Sequence, residues 1–234
     1  MTKMIPLLVF ILSYICPSST PGGIFIDDFE DPAKTEAMWE VIQRDWVVQD
    51  GYYWAPGKAG LTEDPIALLD IEVEDGMVIE AQCADKGDGN WSNFAIIYAY
   101  QEEDLVWAAG AGVGNDQWRM FKFTPVASKG GAWGSDFVPG VPAKTLLEPE
   151  GWYNIRVEVN GRDITLSGSS EPGSDKLDEG NSCTLPDMPE GRIGLGAAGA
   201  SPMFNEFKVT AQSLQVAARN GKLATTWAKI KVIH

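Results

Sequence analysis

The chain has one histidine, His234. Ser-His-Asp and Cys-His catalysis need an imidazole held inside a site, and histidine zinc centres need several, so a single terminal imidazole excludes these classes. Bases are also short: 18 Lys and Arg stand against 33 Asp and Glu, a net charge of −15. Such a surface repels phosphates and anionic headgroups, which rules out nucleic acid as a partner and helps keep an exported protein in solution. No glycine-rich loop precedes a helix pattern, because Gly110-Ala-Gly112-Val-Gly114 lies between two strand patterns and reads as a hairpin. Sustained 3.6-residue periodicity is missing, so helices should be few and short. The one long apolar run, Ile5–Ile15, is too short to span a bilayer.

That run follows Lys3 and precedes Ser18, Ser19 and Thr20, the pattern of an export signal over residues 1–20. The expected location is therefore secreted or cell envelope. Ile15 is bulky where a lipoprotein signal before Cys16 would carry a small residue. Removing residues 1–20 leaves two cysteines, Cys83 and Cys183. In an oxidising compartment they either close one disulfide around a long loop or remain thiols, Cys83 within the apolar stretch MVIEAQCA and Cys183 in a loop.

Much of what is present points to β structure. Hydrophobic residues make up 44% of the chain, with nine Trp for a core and 25 Gly and 14 Pro for turns. In WYNIRVEVNGRDITLS, from Trp152, Ile155, Val157 and Val159 alternate with Arg156, Glu158 and Asn160, and Asn160-Gly161 predicts a hairpin turn. Similar patterns predict strands at 24–29, 45–48, 51–54, 66–72, 77–84, 93–100, 104–110, 117–124, 152–159, 163–168, 192–198 and 203–210. Asp50-Gly51 and Asp75-Gly76 should turn neighbouring pairs, and Asp31–Trp39 should form a helical turn. This many short strands predict an all-β, two-sheet antiparallel sandwich over residues 24–210. Two longer loops, Pro125–Pro149 and Glu171–Pro189, interrupt it. The segment Ala211–His234 carries Arg219, Lys222, Lys229 and Lys231 and no acid. This basic tail could dock on its own acidic domain, remain disordered, bind an acidic partner or serve attachment.

The ordered blocks DDFED, DWVVQDGYY, FAIIYAYQEEDLVW, WRMFKF, WYNIRVEVNGRDITL and GRIGLGAAGASPMFNEFKV resemble the concanavalin A-like lectin/glucanase superfamily. They look closest to its laminin-G-like branch, which includes modules related to the 3-keto-disaccharide hydrolase domain. The resemblance covers residues 24–210 and implies a jelly-roll sandwich whose first and last strands, Ile24–Phe29 and Met203–Thr210, lie side by side. Laminin-G-like relatives often hold calcium, and here Asp27, Asp28 and Glu30 would lie near Asn205 and Glu206 across that pair, a candidate calcium site. The same acids could equally protect an edge strand from pairing. Glucanases of the superfamily carry alternating carboxylates on one strand, Glu-x-Asp-x-Glu, and this chain has no such strand. Glu72-Val-Glu74-Asp75 and Glu102-Glu103-Asp104 lack the spacing and read as solvated turns.

Sugars are held by flat aromatic faces flanked by amides, carboxylates and arginine. The strand Asn93–Tyr100 is apolar on both faces, so one face must look away from the core. Tyr98 and Tyr100, with Trp107, Trp118 and Arg119 from the next strands and Trp91 and Trp133 from loops, form the candidate glycan platform. Core packing competes for Trp107 and Trp118, and Trp39, Trp46, Trp54 and Trp152 are assigned to the core or its ends. The leading expectation is a non-catalytic exported module that binds extracellular or envelope glycan. A hydrolase of glycosidic or 3-keto-sugar linkages, and a structural or adhesive domain, are the alternatives.

Overall fold

The computed structural model describes residues 22–56, 64–86, 93–101, 105–123, 136–198 and 201–214. Residues 1–20, Trp91, Trp133, Glu102-Glu103-Asp104 and nearly all of the basic tail lie outside them. Among the described residues, fifteen strands form two antiparallel sheets. The first sheet holds β1 (Gly23–Asp27), β3 (Val47–Gln49), β4 (Tyr52–Trp54), β6 (Met77–Asp85), β11 (Tyr153–Asn160), β12 (Asp163–Gly168), β13 (Glu179–Thr184) and β15 (Pro202–Ala211). Its order is β13-β12-β11-β6-β15-β4-β3, with β1 also on β15. The second holds β2 (Trp39–Gln43), β5 (Ile66–Glu72), β7 (Asn93–Gln101), β8 (Leu105–Gly112), β9 (Gln117–Phe123), β10 (Val141–Pro142) and β14 (Arg192–Ala198), in the order β10-β9-β8-β7-β14-β5-β2.

The first and last strands pair as the resemblance implied, from Gly23↔Ala211 to Asp27↔Phe207. A helix α1 (Pro32–Met38) follows β1, with the Asp31 side chain accepting from Lys34 N at its start and proline in its first turn. The helix ends before Trp39, which already belongs to β2. Asp50 and Gly51 both take positive φ, as a two-residue I′ hairpin turn requires. The β11–β12 turn differs by one residue from the sequence expectation. Asn160 pairs with Asp163, so the loop is Gly161-Arg162, with glycine alone at positive φ, the II′ pattern. Asp75-Gly76 does turn the chain, but β5 and β6 lie in opposite sheets, so it makes a crossover and not a hairpin.

Glu171–Pro189 is read from sequence as a loop, yet it contains β13. The strand EGNSCT has no apolar alternation. It pairs with β12 from Asp163↔Thr184 to Gly168↔Glu179, an approach that needs glycine at 180, where φ is +146 and a side chain would overlap the Leu166 carbonyl. β13 also ties the two sheets together at one edge: Asn181 Nδ2 donates to the carbonyls of Trp118 and Pro139, and Trp118 Nε1 donates to Glu179 Oε2 at 3.1 Å. Glu179 further accepts from Ser170 N, Ser170 Oγ and Lys144 N at 3.0, 2.6 and 2.8 Å. Burial works to raise its carboxyl pKa, but the donors, Ser170 Oγ foremost, hold it down from 4.5 to about 2. Its stabilising contribution is complete above pH 4.5 and is lost as pH falls through about 2. Acid unfolding of Glu179→Gln should therefore show a shallower loss of stability in that window than the parent, measured by urea titration at a series of pH values.

The inter-sheet core is aromatic at one end. Phe29 stacks on Tyr53 with ring centroids 5.3 Å apart, Trp39 meets Phe207 edge-on at 5.1 Å, and Trp46 lies 4.7 Å from Tyr53. Trp39 and Trp46 are thus core residues. The outer face of the second sheet is apolar as well: Ile66, Leu68, Ala95, Ile97, Val106, Ala108 and Phe121 are fully buried there and Tyr100 is 8% exposed. Among the described residues the centre of the second sheet is therefore buried on both faces, with Arg119 and Glu40 toward its margins, whereas the outer face of the first sheet carries a broad set of polar and half-exposed side chains.

Candidate functional site on the outer face of the first sheet

The alternation of β6, β11 and β15 places Met77, Ile79, Ala81, Cys83, Tyr153, Ile155, Phe204 and Phe207 in the core. The intervening residues must face outward. A β-bulge between Phe204 and Glu206 inserts Asn205 into β15 opposite Gln82. Three carboxamides then line up across three strands, each donating to the next. Asn205 Nδ2 reaches Gln82 Oε1 at 2.6 Å, and Gln82 Nε2 reaches Asn154 Oδ1 at 3.2 Å. Asn154 Nδ2 donates onward to Ser174 O at 3.1 Å and to Asp175 Oδ1 at 3.2 Å. An amide carries two donors and two acceptor lone pairs, so each keeps capacity for a ligand hydroxyl.

This row forms the floor of an open groove of about 540 Å³. One wall comes from the end of β1, with Asp28 and Glu30, and the opposite wall from Asp175 and Leu177 after β12. Glu80, Glu206 and Lys208 complete it, with Lys208 Nζ paired to Glu80 Oε2 at 2.6 Å. Beside the groove lies an aromatic shelf. Tyr53 and Tyr153 point into the core, so Tyr52, Trp54 and Trp152 point out, all half-buried. The Tyr52 and Trp152 rings meet with centroids 5.0 Å apart and an interplanar angle of 31°. Lys86 Nζ sits 4.7 Å above the Trp54 ring. The shelf joins the groove at both sides: Trp152 and Asn154 are two residues apart on one face, and Gly51, next to Tyr52, is packed against Glu30.

The residues singled out from sequence are dispersed. Tyr98 and Trp118 are fully buried and Trp107 is 7% exposed, all three in the inter-sheet core. Tyr98 follows Phe94 and Ile96 inward by alternation, the bulge between Ile97 and Ala99 then turns Ala99 inward and Tyr100 outward, and Trp107 meets Phe137 edge-on at 5.0 Å. Tyr100 and Arg119 share the outer face of the second sheet but not one place on it, since their partners Val106 and Gly110 stand four residues apart along β8. Arg119 is held by Asp136 at 2.8 Å and Asn93 at 3.3 Å and lies 4.7 Å over the Phe121 ring. Trp54 and Trp152, assigned from sequence to the core or its ends, are half-buried on the outer side of the first sheet.

The candidate calcium ligands also separate. Asp27 is fully buried and accepts from Trp39 Nε1 at 2.9 Å, Thr35 Oγ1 at 3.1 Å and Phe29 N at 3.3 Å, with Lys34 Nζ at 3.6 Å. It anchors α1 and β2 to β1, while Asp28, Asn205 and Glu206 line the groove. Among the described residues no three Asp, Glu, His or Cys side chains are grouped to hold a metal ion. Cys83 and Cys183 are free thiols. Cys83 is level with Tyr153 on β11, whereas Cys183 is level, through Ile164 and Val159, with Met77, six residues along β6 and three strands across. That separation of more than about 20 Å precludes a disulfide. Burial raises both thiol pKa values, that of Cys183 to about 11.

No family model and no curated protein matches the chain. Among solved structures it is similar to the carbohydrate binding module CBM66 from Bacillus subtilis, at 15% identity and a TM-score of 0.56, over 74% of this chain and 95% of that one. It is similar to a protein of unknown function with a galectin-like fold from Bacillus subtilis, at 10% identity and 0.52, over 82% and 97% of the two chains. A xylan beta-1,4-xylosidase from Bacillus halodurans C-125 matches at 13% and 0.52, over 80% of this chain but 39% of the enzyme. At such identities the likeness speaks to fold, which is the concanavalin A-like jelly roll.

Proposed function

We propose that the chain is an exported, non-catalytic carbohydrate-binding module whose glycan lies along the outer face of the first sheet. The observation that carries this reading is the half-buried Tyr52–Trp152 ring pair on the same sheet face as the Asn205–Gln82–Asn154 row, with Trp152 two residues from Asn154. A pyranose presents C–H groups on its faces and hydroxyls at its rim, so it needs apolar rings beside an array of donors and acceptors. The carbohydrate binding module among the structural neighbours gives the fold a precedent for this use. A glycosidase would need a carboxyl kept protonated by apolar surroundings beside a second, ionised one. Here Asp28, Glu30, Asp175 and Glu206 are exposed, and Glu80 is held by Lys208.

A glycan array with the mature chain tests the reading. Saturable binding without product release is expected. Trp152→Ala and Asn154→Ala should each weaken it about ten-fold or more, the loss produced by removing one stacking ring or one well-placed hydrogen bond. Binding untouched by both substitutions would move the site elsewhere, and binding to no glycan would overturn the proposal.

A further inference from the structure

The charge around the groove is one-sided. Asp28, Glu30, Glu80, Asp175 and Glu206 line it, against the single cation Lys208, which is spent on Glu80. Among the described residues no cation lies within ion-pair distance of the other four carboxylates. Asp175 accepts only an amide, and Asp28 only the Glu30 N–H at 3.4 Å. They are not gathered as a metal site would gather them. They are spread across the groove instead: Asp28 and Glu30 beyond β1, Glu206 on β15 and Asp175 after β12. Separated acids along an open channel suit a ligand whose positive charges are themselves spaced along a chain.

Resting on the groove being the glycan site, we propose that its ligand is an amine-bearing glycan, a polymer of hexosamine with free ammonium groups, and that uronate or sulfated polysaccharides are excluded. The sugar faces lie on the Tyr52–Trp152 shelf and the hydroxyls on the carboxamide row. The ammonium groups fall against Glu30 and Glu206, and Asp175 meets the next unit. An anionic chain would bring like charge against four carboxylates that no cation among the described residues pairs with. An N-acetylated chain of the same backbone would keep the stacking and lose the ion pairs.

Calorimetry with three oligosaccharides of equal length tests this: a glucosamine hexamer, its fully N-acetylated form and a hexagalacturonate. Each exposed ion pair contributes modestly, so the set should favour the glucosamine hexamer about ten-fold over the acetylated one at low salt. The preference should shrink as salt is raised, and hexagalacturonate should not bind. In Glu30→Gln/Glu206→Gln the preference should fall while affinity for the acetylated hexamer is kept. The control Asp187→Asn/Glu190→Gln, which removes two exposed charges between β13 and β14, should leave it intact. Equal affinity for all three sugars, each weakened by Trp152→Ala, would overturn this inference and leave the glycan site standing. Equal loss of preference in the control would assign the effect to overall charge and overturn it too. Binding of none would remove both.

Discussion

Trp118→Ala is expected to lower the free energy of unfolding by about 3–5 kcal/mol, near the upper end for a large-to-small core change. The side chain is fully buried, and Gly168 lies flat against its indole, where even a Cβ would overlap the ring. Its Nε1 is one of the donors on Glu179, so the substitution also loosens the clasp joining β13 to β9. For a domain of this size the melting temperature should drop by about 10 °C. Trp152→Ala should do the opposite in kind: a loss of about 1 kcal/mol or less, with the glycan affinity abolished or reduced at least ten-fold. Melts and calorimetry on the two variants separate the outcomes. A stable Trp118→Ala protein that no longer bound glycan would return the platform to the second sheet.

Asp27→Ala should destabilise by about 3 kcal/mol, because it leaves the Trp39 indole N–H and the Thr35 hydroxyl buried without their acceptor. Asp27→Asn should recover only part of the loss. An amide turns two donors toward a site where Trp39, Thr35 and Phe29 N already donate, so it keeps one acceptor where the carboxylate had two oxygens. The defect should be equal in calcium and in chelator, as measured by thermal denaturation. A parent melting temperature that falls on chelation, with the fall absent in Asp27→Ala, would give the carboxylate back to an ion.

The outward placement of Trp54 and Trp152 has a physical reason. The period-two reading of WYNIRVEVN was correct for Ile155, Val157 and Val159; carried two residues back, it puts Tyr153 inside and Trp152 and Asn154 outside. The same rule applied to Tyr52-Tyr53-Trp54 turns Tyr53 in and its neighbours out. Alternation fails for Asn93–Tyr100 and for Trp118–Phe121 because the second sheet is apolar on both faces, so hydrophobicity does not tell inside from outside. There the packing of the opposite sheet decides, and the bulge between Ile97 and Ala99 parts Tyr100 from Tyr98.

By itself the sequence determined the elements whose cause is local. The two-residue turns follow from Asp50-Gly51 and Gly161, α1 from Asp31 and Pro32, and the two-sheet sandwich from repeated alternation. Only the tertiary structure decided which strand of a turn crosses to the other sheet, that EGNSCT is a strand, and that Cys83 and Cys183 lie strands apart. It alone assembled the groove, because Asn205, Gln82, Asn154 and Glu30 come from four separated parts of the chain. Their proximity depends on strand order and on one inserted residue in β15, which no local pattern encodes.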